Sequence, residues 1–173
     1  MSDTDSETAG GPVQPDVLRR LMAALDAAGV KYDHLQHEAV FTSVEAAAIR
    51  GTTLHSGAKA LILKGDDGFV MTVIPADMAL DGTALRKELG SRRLRFATKE
   101  ELLELSGLAP GSVPPFGSRF GMKTYCDRGL SDNEFINFNA GSHSDSLRLR
   151  YDAYIGFERP ILGDFAKPGD VRG

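Results

Sequence analysis

Cysteine occurs once in this chain of 173 residues, at Cys126, and tryptophan not at all. A lone cysteine excludes an intrachain disulfide and any multi-cysteine zinc site, and it suits a reducing, cytoplasmic setting. Long apolar runs are also missing, so no stretch reaches membrane-spanning length. The polar, acidic start from Met1 to Gly11 lacks the basic-then-apolar order of a secretory signal. There is no excess of basic charge: the formal net charge of −4 argues against a nonspecific nucleic-acid coat but leaves room for a local basic groove around one RNA end. His34, His37 and His55 show no metal-ligand spacing with acidic neighbours, so neither a metal nor another cofactor is expected. The absence of a Gly-x-Ser-x-Gly elbow disfavours an ordinary esterase. His143 and Asp145 stand among serines, but they crowd into one short segment, whereas working Ser-His-Asp triads are assembled from separated elements.

What is present is apolar material for one core, 42% of the residues. Met1 to Gln14 has almost nothing to bury and reads as a disordered leader; one domain follows over residues 15–160, then a turn-rich, loosely docked C-terminal tail over 161–173. Val17, Leu18, Leu21, Met22 and Leu25 recur at helical spacing between Pro15 and Gly29. A short strand over Lys31 to Gln36 precedes Thr42 and Glu45, whose spacing is that of a capping box opening a helix that stops at Gly51. Gly65-Asp66-Asp67-Gly68 joins Lys59–Lys64 and Phe69–Ile74 as a hairpin. Asp81 and Thr98 each cap a further helix, with a strand over Arg92 to Phe96 between them. Gly107 to Gly117 is too rich in glycine and proline for a regular element and reads as a shaped loop. Strands over Met122–Cys126, Glu134–Asn139 and Ser146–Arg150 and a helical turn over Asp152–Phe157 complete the domain. Strands outnumber helices without alternating strictly with them, so the fold class is α/β in the α+β sense: a mixed, curved sheet with helices packed outside.

One stretch focuses the functional question. Gly57-Ala58-Lys59-Ala60-Leu61-Ile62-Leu63-Lys64 sets a lysine in the first half of an apolar run, with Lys59, Leu61 and Leu63 on one strand face. A buried unpaired ammonium is costly, so Lys59 needs a carboxylate partner, a wet pocket or a ligand it waits for, unless it starts an edge strand and snorkels to water.

Six pieces in order then carry a resemblance: His37-Glu38-Ala39-Val40, Gly57-Ala58-Lys59-Ala60-Leu61, Pro75-Ala76-Asp77, Ala97-Thr98-Lys99-Glu100-Glu101-Leu102, Gly111-Ser112-Val113-Pro114-Pro115-Phe116-Gly117 and Phe138-Asn139-Ala140-Gly141. Over residues 17–157 the chain resembles the YbaK / prolyl-tRNA-synthetase-associated editing domain family. The resemblance implies a strongly curved, barrel-like sheet surrounded by helices. It also implies a metal-free trans-editing deacylase that hydrolyses the ester between a wrong amino acid and the 3′ end of a tRNA. By that resemblance Lys59 positions the substrate, and the loop from Gly111 to Pro115 shapes the catalytic site around the terminal adenosine and aminoacyl group. Ser112, Val113, Pro114 and Phe116 come with that loop, and Asn139 and Gly141 with the Phe138-Asn139-Ala140-Gly141 piece; Ser142, just after it, is a further substrate-binding candidate in a stretch that matches no one branch. The partner is the aminoacylated tRNA 3′ end, with an aminoacyl-tRNA synthetase as a further partner, and the chain itself is a monomer or weak homodimer.

Relatives of this kind act on cysteine, alanine, or serine and threonine attached to tRNA. The run from Glu45 to Thr52 leading into Gly57-Ala58-Lys59, with Phe138 to Gly141, looks most like the YeaK-type branch, which implies Ser-tRNA or Thr-tRNA. Ala- or Cys-tRNA(Pro) is the alternative within the family, and a catalytically silent module binding a tRNA end or nucleotide the alternative outside it. A polar pocket favours a hydroxyl-bearing substrate, and Thr42, Ser43, His143 and Ser144 are candidates to line it. His37 either faces the site or makes a structural hydrogen bond, and His143 either touches substrate or sits in a solvated turn. Arg92-Arg93-Leu94-Arg95 is either a tRNA-backbone contact or a solvated strand edge, with Arg19, Arg20 and Arg50 as possible additions to such a surface. Asp127 reads as a turn cap.

Overall fold

The computed structural model describes residues 15–169, so the leader expected over 1–14 and residues 170–173 of the expected tail lie outside the described residues. Helix α1 (Pro15–Ala27) sends Leu21 and Leu25 into the core. Strand β1 (Tyr32–Gln36) leads to α2 (Ser43–Arg50), where Thr42 Oγ1 accepts the Glu45 N–H at 3.1 Å and Gly51 closes the helix at φ 68°. A 3₁₀ turn over Leu54–Ser56 precedes the hairpin of β2 (Ala58–Gly65) and β3 (Gly68–Pro75). Gly65 pairs with Gly68, so the turn is the two residues Asp66 and Asp67. Next come β4 (Met78–Leu80), α3 (Gly82–Leu89) capped by Asp81, and β5 (Arg95–Phe96). Helix α4 (Lys99–Ser106) has the full reciprocal capping box of Thr98 and Glu101. Beyond the Gly/Pro loop lie β6 (Thr124–Asp127), β7 (Phe135–Asn139), β8 (Asp145–Arg150), α5 (Tyr151–Glu158), β9 (Ile161–Gly163) and β10 (Ala166–Pro168).

The main sheet is mixed, in the order β5-β2-β3-β6-β9, with β6 parallel to both β3 and β9. A three-stranded antiparallel sheet, β1-β8-β7, stands beside it, and β10 pairs with β4. Both faces of β2 are covered: Ala58 and Ile62 join the core that contains Leu21 and Leu25, while Leu63 packs with Leu85, Tyr125 and Phe165. The alternation read from the sequence is therefore buried on both sides, which fixes the register of the strand that carries Lys59.

Three expectations change. The barrel-like closure is not found: among the described residues the sheets stay separate, and β7 meets the start of β2 only at one bridge between Gly57 and Asn137. A glycine is required at Gly57 by a different neighbour, since a Cβ there would sit 2.9 Å from Ala76 Cβ. The strand expected over Arg92–Phe96 shrinks to Arg95–Phe96, because the Asp66 carboxylate takes the Arg92 and Arg93 N–H groups at 2.8 and 3.2 Å. The residues after Pro160 are not loosely docked: β9 and β10 join sheets, Phe165 is buried, and Asp127 Oδ1 accepts the N–H groups of Phe165 and Ala166 at 2.8 and 2.9 Å. Asp127 Oδ2 also accepts the Gly129 N–H at 2.8 Å, the turn-capping role expected of it.

Candidate active site

Beyond the Gly57–Asn137 bridge, residues 57–60 of β2 and its approach and 137–139 of β7 line opposite sides of a cavity of about 120 Å³. Helix α2 contributes Ala46, Ala47 and Arg50 to the lining, and the Gly/Pro loop contributes Gly111 and Val113.

Lys59 lines this cavity half-buried, and burial alone lowers its pKa from the ordinary 10.5; no carboxylate takes part. Of the alternatives open in the sequence, the ion pair is thus excluded among the described residues. Arg50 is a second buried cation: its Nε donates to Ser146 Oγ and its Nη2 to Asn139 Oδ1, both at 2.8 Å, and burial brings its pKa down to about 10. Among the described residues no Asp or Glu lines the cavity, so both positive charges act there without neutralisation.

The walls are tied together by polar bonds. Asn139 Nδ2 donates to the Gly111 carbonyl at 2.7 Å, and Gly111 holds φ +83°, where a Cβ would come within 3.3 Å of His143 Nε2. His143 Nε2 donates to the Pro110 carbonyl at 2.9 Å, since a carbonyl only accepts. By the same reasoning His37 Nδ1 donates to the Glu38 carbonyl at 2.7 Å. His37 Nε2 lies 2.8 Å from Ser146 Oγ, the same hydroxyl that receives Arg50. Asn137, nearly fully buried, donates to Ser56 Oγ at 3.1 Å.

The expected site residues divide into two groups. Lys59, Thr42, Ser43, Gly111, Val113, Asn139 and His143 line the cavity. His37, Ser112, Pro114, Pro115, Phe116, Gly141 and Ser142 are absent from its lining. The prolines and Phe116 face inward: the Pro115 carbonyl accepts the Tyr154 hydroxyl at 2.7 Å, and Phe116 packs edge-on against Phe138, Tyr154 and Phe157. Pro114 borders a separate cavity with Val17 and Leu21. Ser112 donates to the Ala109 carbonyl and accepts the Gly141 N–H at 2.8 Å, so this pair buttresses the loop. Ser142 bonds Asp145 at 2.8 Å, and Asp145 also pairs with His34 at 2.8 Å, so no Ser-His-Asp relay runs through His143.

Comparison with known proteins now bears on the cleft. The profile of the aminoacyl-tRNA editing domain matches residues 37–157. The chain belongs to that family. It is 33% identical over 154 residues to the Escherichia coli (strain K12) protein named multifunctional Ser/Thr-tRNA deacylase ProXp-y, covering 86% of this chain and 92% of that one. It is also 33% identical over 91 residues to the proline–tRNA ligase of Thermotoga maritima, which is 47% of this chain and 16% of the ligase. Among solved structures, a candidate trans-editing enzyme for prolyl tRNA synthetase superposes with a TM-score of 0.78 at 26% identity, over 90% of this chain and 99% of that one.

Within this editing domain, sequence reasoning missed Arg50 as a site residue and missed Phe41 altogether. Arg50 had a readable signal: it stands three and four residues after Ala47 and Ala46, which puts all three on one helical face, and both alanines are buried. Behind the cleft, His55 is clamped between two carboxylates, with Nδ1 at 2.8 Å from Asp77 and Nε2 at 3.1 Å from Asp132. These bonds, that to Asp77 foremost, raise its pKa above the ordinary 6.5. A raised folded-state pKa stabilises the fold fully below the unfolded-state value, and that stabilisation is lost as pH rises through the folded one. Thermal melts of wild type and His55→Gln are therefore expected to lie furthest apart below pH ~6.5 and to converge at alkaline pH. A gap that widens with rising pH contradicts the clamp.

Proposed function

We propose that this chain is a stand-alone, trans-editing aminoacyl-tRNA deacylase that removes serine or threonine from the 3′ end of a mischarged tRNA in the cytoplasm. The observation that carries the reading is the cavity itself, which presents Lys59 and Arg50, has no carboxylate in its lining among the described residues, and sets the polar groups of Thr42, Ser43, Asn137 and Asn139 among apolar walls. Hydrolysis adds water to the ester carbonyl carbon and places negative charge on the carbonyl oxygen. The bond to the ribose oxygen then breaks, and the water's proton ends on that oxygen. A half-desolvated ammonium facing the developing oxyanion lowers this barrier, because its charge is worth more in a site that water does not fill. Lys59 takes that part as a donor and cation. Arg50 holds Asn139, and through it the Gly111 carbonyl, so the loop wall is preset before substrate arrives. An aminoacyl ester is already activated, so orientation and charge suffice without a protein nucleophile.

Ser43 gives the pocket a hydroxyl that an alanyl side chain leaves unpaired, whereas the Thr42 hydroxyl is already committed to Glu45. Leaving a buried polar group unsatisfied costs about 1–3 kcal/mol, which is roughly 5- to 150-fold in selectivity. The sequence similarity to ProXp-y supports the same choice of substrate. The test is amino-acid release from tRNAs charged with Ser, Thr, Ala, Cys and Pro. Serine or threonine is expected to leave at least ~5-fold faster than alanine; faster release of alanine or cysteine contradicts the substrate assignment.

A further inference from the structure

Phe41 is 72% exposed, more than any other large apolar side chain among the described residues, yet it lines the same cavity as Lys59. It directly precedes Thr42, the N-cap of α2, where an apolar residue commonly folds back as a staple onto the fourth helical residue, here Ala46. A staple buries its ring; this one stays in water. Its neighbour is the His143 imidazole, with ring centroids 4.8 Å apart and planes tilted by 40°.

Both rings are held in place by main-chain bonds. The Val40 N–H donates to the His143 carbonyl at 3.1 Å, and the His37 N–H to the Ser144 carbonyl at 2.9 Å, which zips the segment before Phe41 to the segment that carries His143. His143 Nε2 is anchored on the Pro110 carbonyl. The result is an aromatic pair preset in the lining of the cavity that also holds Lys59 and Arg50, with the Phe41 ring largely in water.

We propose that Phe41, backed by His143, is the stacking platform for the terminal nucleobase of the tRNA. This rests on the deacylase reading above. With the aminoacyl group inside the cavity and Lys59 at the ester, the ribose lies at the mouth and its base extends outward, where a flat apolar surface is the missing contact. Stacking holds the adenine by its π-face without hydrogen-bond readout. That suits a site whose specificity lies in the amino acid.

The experiment compares wild type, Phe41→Leu and Phe41→Trp. Leucine keeps an apolar side chain and removes the ring, and tryptophan keeps the ring. For seryl-tRNA, Phe41→Leu is expected to raise KM about tenfold with kcat changed less than about twofold, and Phe41→Trp to restore the wild-type KM. Binding of the same uncharged tRNA is measured in parallel, and its Kd is expected to rise by a similar factor in Phe41→Leu, whether or not an ester is released. Wild-type protein that binds tRNA in this Phe41-dependent way but frees no amino acid overturns the deacylase reading and supports the platform. A KM and Kd that are unchanged in Phe41→Leu overturn the platform, whatever the activity.

Discussion

Lys59→Ala is expected to slow release of serine or threonine from tRNA by about 10²- to 10³-fold, the usual consequence of deleting one group aimed at a developing oxyanion. The same change is expected to leave the fold intact and the melting temperature no lower. Among the described residues Lys59 has no charge partner to lose, and burial disfavours its charged form in the folded state. The sign follows from that direction: a lysine whose folded pKa lies below its unfolded value of 10.5 weighs against folding at neutral pH, and the penalty relaxes as pH rises through the folded value. Kinetics and thermal melts on one preparation test both parts. A variant that unfolds, or one that melts normally and keeps near wild-type turnover, contradicts the role assigned to Lys59.

Arg50→Lys is expected to cost about 10²-fold in turnover, although charge is conserved. The guanidinium reaches Ser146 with Nε and Asn139 with Nη2, and a single ammonium cannot occupy both positions. Once Asn139 is released, its hold on the Gly111 carbonyl loosens, and the loop wall drifts from the geometry the ester needs. Because the cost arises from misplacement, kcat is expected to fall more than KM rises. Arg50→Lys with wild-type kinetics would show that the positive charge alone matters and that the bridge to the loop does not.

These expectations show where the sequence was informative. Helix caps are local chemistry, so Thr42, Asp81 and Thr98 were each legible from the three-residue spacing to the N–H they accept. The hairpin was legible for the same reason, since its turn lies between two apolar runs that pair with each other. The C-terminal strands were not: each has three residues, too few for periodicity, and their anchor is Asp127, 38 and 39 positions away from the N–H groups it holds. The barrel-like closure was implied by the resemblance alone; the residues could not test it, because local alternation says nothing about whether two sheet edges stay paired beyond Gly57 and Asn137.

The site was legible in part. Lys59 stood out as a charge inside an apolar run, and the cavity explains why it is there. The Gly/Pro loop was identified as a unit, but its residues divide by direction: Gly111 and Val113 reach the cavity, whereas Pro115 and Phe116 serve the core. A linear motif cannot show that division, because it depends on which side of the loop α5 and β7 pack. The sequence offers Arg50 only as an addition to a basic surface; its burial depends on Ser146 and Asn139, which arrive from two later strands.

The central claim is that a cavity with two unneutralised cations hydrolyses an aminoacyl ester. The measurement that tests it most directly is release of labelled serine or threonine from mischarged tRNA, with protein well below substrate and folded Lys59→Ala as the control. The account predicts many turnovers per wild-type molecule and a loss of about 10²-fold or more in the variant. Release that stops at one equivalent or less, or that proceeds equally in Lys59→Ala, would contradict it.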